Sequence, residues 1–267
     1  MQWLVFAFCL TFAVIRADDS APRINDGVDA PWGMFPSAVS INTTFRHCGG
    51  DIVDRQHVLT AAQCVFGDNR RLIDPYWITI VAGDINLGGV SHHRQTRKVV
   101  AIFPHPEFNI QTLENDLAVL RVDRPYELPS STLNVANRTR RVVTYIVDCY
   151  LAGWGVSLVG GFVPDYVQQR FIQTPPMDHD ICNQFYFHAG RVLENMLCAT
   201  ISGSCTANVG TGLYCDRVLV GILSYGTNCN VPHNLPVFTQ ILFNNPWIEQ
   251  QFTETEGRPF GWSPGQL

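Results

Sequence analysis

Eight cysteines constrain this chain more than any other feature: Cys48, Cys64, Cys149, Cys182, Cys198, Cys205, Cys215 and Cys229. A ninth, Cys9, belongs to the apolar run WLVFAFCLTFAVI at residues 3–15, which is too short to cross a bilayer. Arg16-Ala17 and then acidic Asp18-Asp19 follow, the pattern of a secretory signal peptide cut near Ala17, although no Lys or Arg precedes the run. No later stretch is long or apolar enough for a membrane helix, so the mature protein is expected to be soluble, secreted and extracellular, with no membrane partner. An even set of eight in an exported chain argues for disulfides, and counting leaves about a hundred connectivities open. Zinc is the competing use of cysteine. No CxxC pair occurs, and no His stands at ligand spacing beside a Cys pair, so the metal reading fails.

The formal net charge of −5 argues against non-specific nucleic-acid binding by the whole molecule. Two local runs are basic: His92-His93-Arg94 with Arg97-Lys98, and Arg138 with Arg140-Arg141. Their plain reading is solvated strand edge and linker. The sharper one is a docking surface at Arg94, Arg97 and Lys98 for an anionic partner such as a sulfated glycan. Asn42-Thr43-Thr44 and Asn137-Arg138-Thr139 are glycosylation sequons open to an exported chain.

Gly and Pro punctuate the sequence, and the apolar runs between them are short and β-branched: Ile78–Ala82, Leu117–Val122, Val142–Val147, Val218–Leu223 and Val237–Leu242. The pattern predicts an all-β protein. Asn244-Asn245-Pro246 is a helix-start sequence, predicting a short C-terminal helix over about 244–252. Residues 253–267 read as a flexible tail. The polar stretch at 126–141 reads as a linker between two β-rich halves, about 24–125 and 142–240.

Arg23-Ile24-Asn25-Asp26-Gly27, Cys48-Gly49-Gly50, Leu59-Thr60-Ala61-Ala62-Gln63-Cys64, Asn115-Asp116-Leu117-Ala118-Val119-Leu120, Gly153-Trp154-Gly155 and Ser224-Tyr225-Gly226 follow one another in this order. So spaced, they resemble the chymotrypsin/trypsin-like serine protease family over nearly all of residues 24–252. The resemblance implies two six-stranded antiparallel β-barrels with a cleft between them. It also implies the pairings Cys48–Cys64, Cys149–Cys215, Cys182–Cys198 and Cys205–Cys229. Residues 18–23 would then be a short pro-segment cleaved after Arg23. Only Asp18–Pro22 separates the leader from Arg23, so no clip-type domain is expected there.

The family's chemistry needs a hydroxyl, an imidazole that takes its proton, and a carboxylate that orients the imidazole. The imidazole position is Gln63, and a carboxamide has no useful basicity near neutral pH. The nucleophile position, between Cys205 and Cys215, is Val209. Asp116 is the one member retained, expected to hydrogen-bond Gln63 or Ser224. In a related triad, loss of one essential member costs about 10⁶-fold in turnover. The supporting positions differ as well. Asn208 stands where a carboxylate would receive the Ile24 ammonium, and Ala207 with Val209 would supply the oxyanion donors. Gly203 lies at the base of the specificity pocket, with Gly226 and Pro236 on its walls, Pro236 expected to narrow it. Asp84 matches the first carboxylate of the family's calcium loop, but Ser91–Arg94 offers none downstream, so no metal or other cofactor is expected.

Rescue by a displaced catalyst has little to work with. His57 and His105 read as packing or loop residues, and His179 and His188 as rim residues able to contact a partner. Ser202, Ser204, Thr206 and Thr211 are the hydroxyls nearest Val209, and no motif sets an imidazole beside one. The resemblance therefore points to a secreted, non-catalytic homologue, of a kind plentiful in arthropods. Such a protein acts as cofactor or decoy on a protease, zymogen or inhibitor in a cascade such as immunity or clotting. The alternatives are an endopeptidase with an unorthodox site, and a surface- or glycan-binding module.

Overall fold

The computed structural model describes residues 27–143, 147–154, 168–186, 192–200, 208–226 and 235–255. The leader, the 18–23 segment, Arg23, Ile24, His188, Gly203, Cys205, Ala207, Cys229 and everything beyond 255 lie outside the described residues. Among those described, thirteen strands form. In the first half they are β1 Val28–Asp29, β2 Ala38–Asn42, β3 His47–Ile52, β4 His57–Thr60, β5 Thr79–Ala82, β6 Gln95–Pro104 and β7 Ala118–Val122. In the second half they are β8 Cys149–Gly153, β9 Arg170–Gln173, β10 Met196–Cys198, β11 Gly212–Cys215, β12 Val218–Tyr225 and β13 Val237–Gln240.

Strands β2, β3, β4, β7, β6 and β5 close into an antiparallel barrel, β5 returning to β2. Closure leaves no unpaired edge, and Ile41, Ile52, Val58, Ile80, Ile102 and Leu120 fill the barrel with no exposed surface. The second half is a seven-stranded antiparallel sheet in the order β1-β9-β8-β11-β12-β13-β10. Six of these strands, β9 through β10, make up the second half that the resemblance implied, with the antiparallel bridge Pro176–Ala199 bringing its two ends together, and β1 crosses over from the first half to add itself beside β9. Val28 pairs with Phe171 and Asp29 with Arg170, whose Nε donates to Asp29 Oδ1 at 2.8 Å. Residues 144–146 of the apolar run Val142–Val147 lie outside the described residues, and the first described strand of this half starts at Cys149. Val142 is 73% exposed behind the charged Arg140-Arg141 pair and has no face to bury.

The 126–141 segment is a strap, not a loose linker. Tyr126 and Leu133 are buried. Ala136 N donates to Ile52 O of the barrel, and Thr139 N to Leu219 O of the sheet, so the segment is stitched to both halves. The C-terminal helix, α2 Ile241–Thr255, starts before the expected Asn244 and runs past the expected end, absorbing Pro246 within its early turns. Ile241, Asn244, Ile248 and Gln251 are buried at helical spacing, so one face packed on the protein sets its length. Cys48–Cys64, Cys149–Cys215 and Cys182–Cys198 are bonded as the resemblance implied.

Candidate functional site

Beyond β4 the chain enters a short 3₁₀ turn, Ala62–Val65, which carries Gln63 between the two halves. The Cys48–Cys64 bond pins this turn to β3. Asp116 stands just before β7, fully buried. Ser224 lies in β12 where its register with β13 shifts between Leu223 and Tyr225, and such an irregularity re-aims a side chain. The three meet. Gln63 N donates to Asp116 Oδ1 at 2.8 Å, and Gln63 Nε2 to Asp116 Oδ2 at 2.5 Å and to the Ser224 carbonyl at 2.8 Å. Ser224 Oγ donates to Asp116 Oδ2 at 2.6 Å. Both amide protons of Gln63 are thus engaged. Burial pushes the Asp116 carboxyl up to about 6, against the pull of these hydrogen bonds.

Val209 lies against the same disulfide. Its carbonyl accepts from Gly49 N at 2.9 Å, with Cys64 Sγ 3.6 Å away. Gly210 follows with φ +88°, and its N donates to Leu223 O at 2.8 Å. A Cβ there would collide with Gly49 O and Thr60 Oγ1, so the turn presenting Val209 needs glycine at that place.

A turn held beside Gln63, an aspartate behind it and two β-rich halves flanking both form a recognisable frame. A family model described as Trypsin matches residues 24–248. The chain belongs to the trypsin family. It is 31% identical to Trypsin eta of Drosophila melanogaster over 211 residues, 77% of each chain. It is 28% identical to Trypsin I-P1 of Gallus gallus over 256 residues, 93% of this chain and 98% of that one. Identity to Trypsin-1 of Astacus astacus is also 28%, over 236 residues, 84% of this chain and 97% of that one.

Relative to the trypsin frame, the other expected positions can be located. Asn208 is buried, and its Oδ1 has no hydrogen-bond partner among the described residues. The two positions expected to wall the pocket, Gly226 and Pro236, directly adjoin the Tyr225–Val237 pair of the β12–β13 ladder and are neighbours across it. Gly226 has φ +81°, and a Cβ built on it would overlap the Leu235 carbonyl and come 2.8 Å from Pro236 Cα. The Tyr186 hydroxyl donates to that same Leu235 carbonyl, and the Tyr225 ring packs edge-on against Tyr186 with centroids 5.7 Å apart. Pro236 thus lies directly against the Gly226 wall. Gly226→Ala is expected to lower stability by about 3 kcal/mol and the melting temperature by about 8 °C, from left-handed strain plus backbone overlap. A loss below about 1 kcal/mol would show walls standing apart.

The described histidines are occupied elsewhere. His57 Nδ1 lies 2.6 Å from Asp54 Oδ2, with its ring stacked on Phe252. His105 lies against Trp247, ring centroids 4.7 Å apart, and burial lowers its basicity. His179 opens α1 His179–Phe185 beside Asp180. His47 bonds Ser40 Oγ at 2.6 Å, and burial brings its pKa down to about 4. None of these contacts involves Asp116 or Val209.

The basic run does not act as one cluster. Arg94 is spent on Asp84, Nε to Oδ2 at 2.9 Å. That guanidinium satisfies the carboxylate that the calcium-loop comparison singled out. Arg97 is buried, and Lys98, the neighbouring residue on strand β6, points away and donates to Thr79 Oγ1 at 2.7 Å. Strand alternation separates residues adjacent in sequence. Both sequon asparagines, Asn42 and Asn137, are exposed.

A second buried carboxylate escaped the sequence reading. Asp51 of β3 accepts from Ser37 Oγ at 2.7 Å and from the Tyr214 hydroxyl of β11, joining the two halves. Burial pushes it up to about 6. The signal was present: an acid inside the otherwise apolar strand HCGGDI.

Proposed function

We propose that this chain is a secreted, non-catalytic trypsin homologue that works by binding, as cofactor or decoy in an extracellular proteolytic cascade such as immunity or clotting. The observation that carries the reading is Gln63. Both its amide protons are held by Asp116 and Ser224, so a hydrogen-bond donor without basicity occupies the place of a general base. Val209 supports it, because an isopropyl group has no proton to lose and no lone pair to attack with. Pro236 beside Gly226 adds to it, since the proline ring would narrow a pocket walled by the two. Secretion rests on the N-terminal apolar run and on the disulfides, which persist in oxidising compartments. The partner would be a protease, zymogen or inhibitor.

The names of the relatives favour a second reading, a serine endopeptidase with an unorthodox site. One experiment separates the two. The protein, before and after cleavage at Arg23 and removal of the cleaving protease, is exposed to a fluorophosphonate probe beside an active trypsin. No labelled residue in either form is the expected result. A stoichiometric label on one serine or threonine would establish the enzyme.

A further inference from the structure

Away from the cleft, the strap and the β5–β6 hairpin enclose an open groove of about 840 Å³. Its walls carry Arg55, Arg124, His92 and His93, with Arg94 and Arg97 at its base and Glu127 as the single acid lining it. Arg55 and Arg124 come from segments that the sequence keeps far from the basic run at 92–98, so the fold assembles a cationic surface that no local motif announces. We propose that this groove binds a sulfated polysaccharide.

Charge is the first argument. Arg97 is buried over the Tyr126 ring, and its guanidinium donates to the carbonyls of Thr96, Arg124 and Pro125 and to Gln95 Oε1. All four partners are neutral, so no carboxylate hydrogen-bonds this guanidinium among the described residues, although Asp123 and Glu127 act on it at longer range. Arg55 and Arg124 are exposed above it. The nearest acid to Arg124 is Asp123, 3.7 Å away and open to solvent, a pairing of little strength. A chain of net charge −5 therefore holds a concentrated positive concavity.

Chemistry of the lining is the second argument. Apart from Leu128, Pro125 and Pro129 the groove is polar. An acidic protein segment would be expected to gain affinity from apolar anchors, which are scarce here. A sulfated sugar chain needs charge and hydrogen-bond donors instead. Trp32, 48% exposed, tilts against His93 with ring centroids 5.4 Å apart, leaving an aromatic face beside the groove on which a sugar ring can pack. The inference does not depend on whether the cleft is silent.

The test measures binding of a heparin-like sulfated hexasaccharide, its desulfated counterpart and a poly-glutamate peptide of equal charge to the full chain across a salt series. The sulfated sugar is expected to bind and the desulfated one not. Poly-glutamate should bind at least about tenfold more weakly than the sulfated sugar. Arg55→Ala with Arg124→Ala, both exposed and expected to leave the melting temperature unchanged, should weaken binding at least about tenfold. The same pair should make the log–log salt dependence shallower by about 1.5, as for loss of two contacts to a polyanion. Lys98→Ala, outside the groove, should change neither. No binding at low salt, undiminished binding by the double variant, or equal affinity for poly-glutamate would each overturn the proposal.

Discussion

Asp116→Ala is expected to lower the unfolding free energy by about 4 kcal/mol, measured by denaturant titration followed by tryptophan fluorescence. The magnitude follows from what the carboxylate holds. Gln63 N, Gln63 Nε2 and Ser224 Oγ all donate to this fully buried carboxylate, and alanine would leave them without that acceptor. A loss below about 1 kcal/mol would mean that the donors find water or each other, and that Asp116 is a remnant rather than a structural anchor. Asp116→Asn separates charge from shape through its pH dependence. The folded carboxyl titrates at about 6, raised above its ordinary value by burial. Its contribution to stability is therefore fully present below the unfolded pKa and is lost as pH rises through about 6. The aspartate protein should exceed the asparagine variant most near pH 4, and the gap should shrink by roughly 2–3 kcal/mol by pH 8. A gap that widens with pH would show that the hydrogen bonds outweigh desolvation.

The barrel was legible because its strands read as short β-branched runs between turn residues, and because the cysteine frame has one family resemblance. Gln63, Asp116 and Ser224 were legible for the same reason, since each stands inside a motif of fixed spacing. What failed depended on three-dimensional packing. Helix α2 starts at Ile241 because Ile241 and Ile248 share a buried face, which outweighs the local start signal at Asn244-Asn245-Pro246. The β1 strand joins the far sheet through pairing with β9, a contact across some 140 positions of sequence that no local pattern encodes. Arg94, Arg97 and Lys98 look alike in sequence, but one neutralises Asp84, one is buried over Tyr126 and one bonds Thr79. The cations that face solvent together, Arg55 and Arg124, are spread along the chain. Charge clusters follow the surface, and residue spacing reports the surface only within a single element.

Gln63→His and Val209→Ser introduced together are expected to create a serine that a fluorophosphonate labels, whereas neither substitution alone should do so. Contacts that would hold them are present on both sides among the described residues. An imidazole at position 63 would inherit the Asp116 carboxylate that now accepts from Gln63, and Ser224 Oγ would still orient that carboxylate. The residue at 209 is held by Gly49 N and by the left-handed turn at Gly210, neither of which depends on the valine side chain. Because the groups act as a unit, the gain should be grossly non-additive, with each single variant at the background of the parent. Peptide hydrolysis should nevertheless stay at least about 10³-fold below an active trypsin. Pro236 stands beside Gly226, and its ring would take room that a substrate side chain needs for the orientation that makes the reaction effectively unimolecular. Labelling without turnover would mean that the frame can hold a reactive serine while substrate access remains the barrier. No labelling of the double variant would mean instead that the backbone of the turn has moved away from a reactive geometry. Full turnover would mean that the pocket walls part when a substrate arrives.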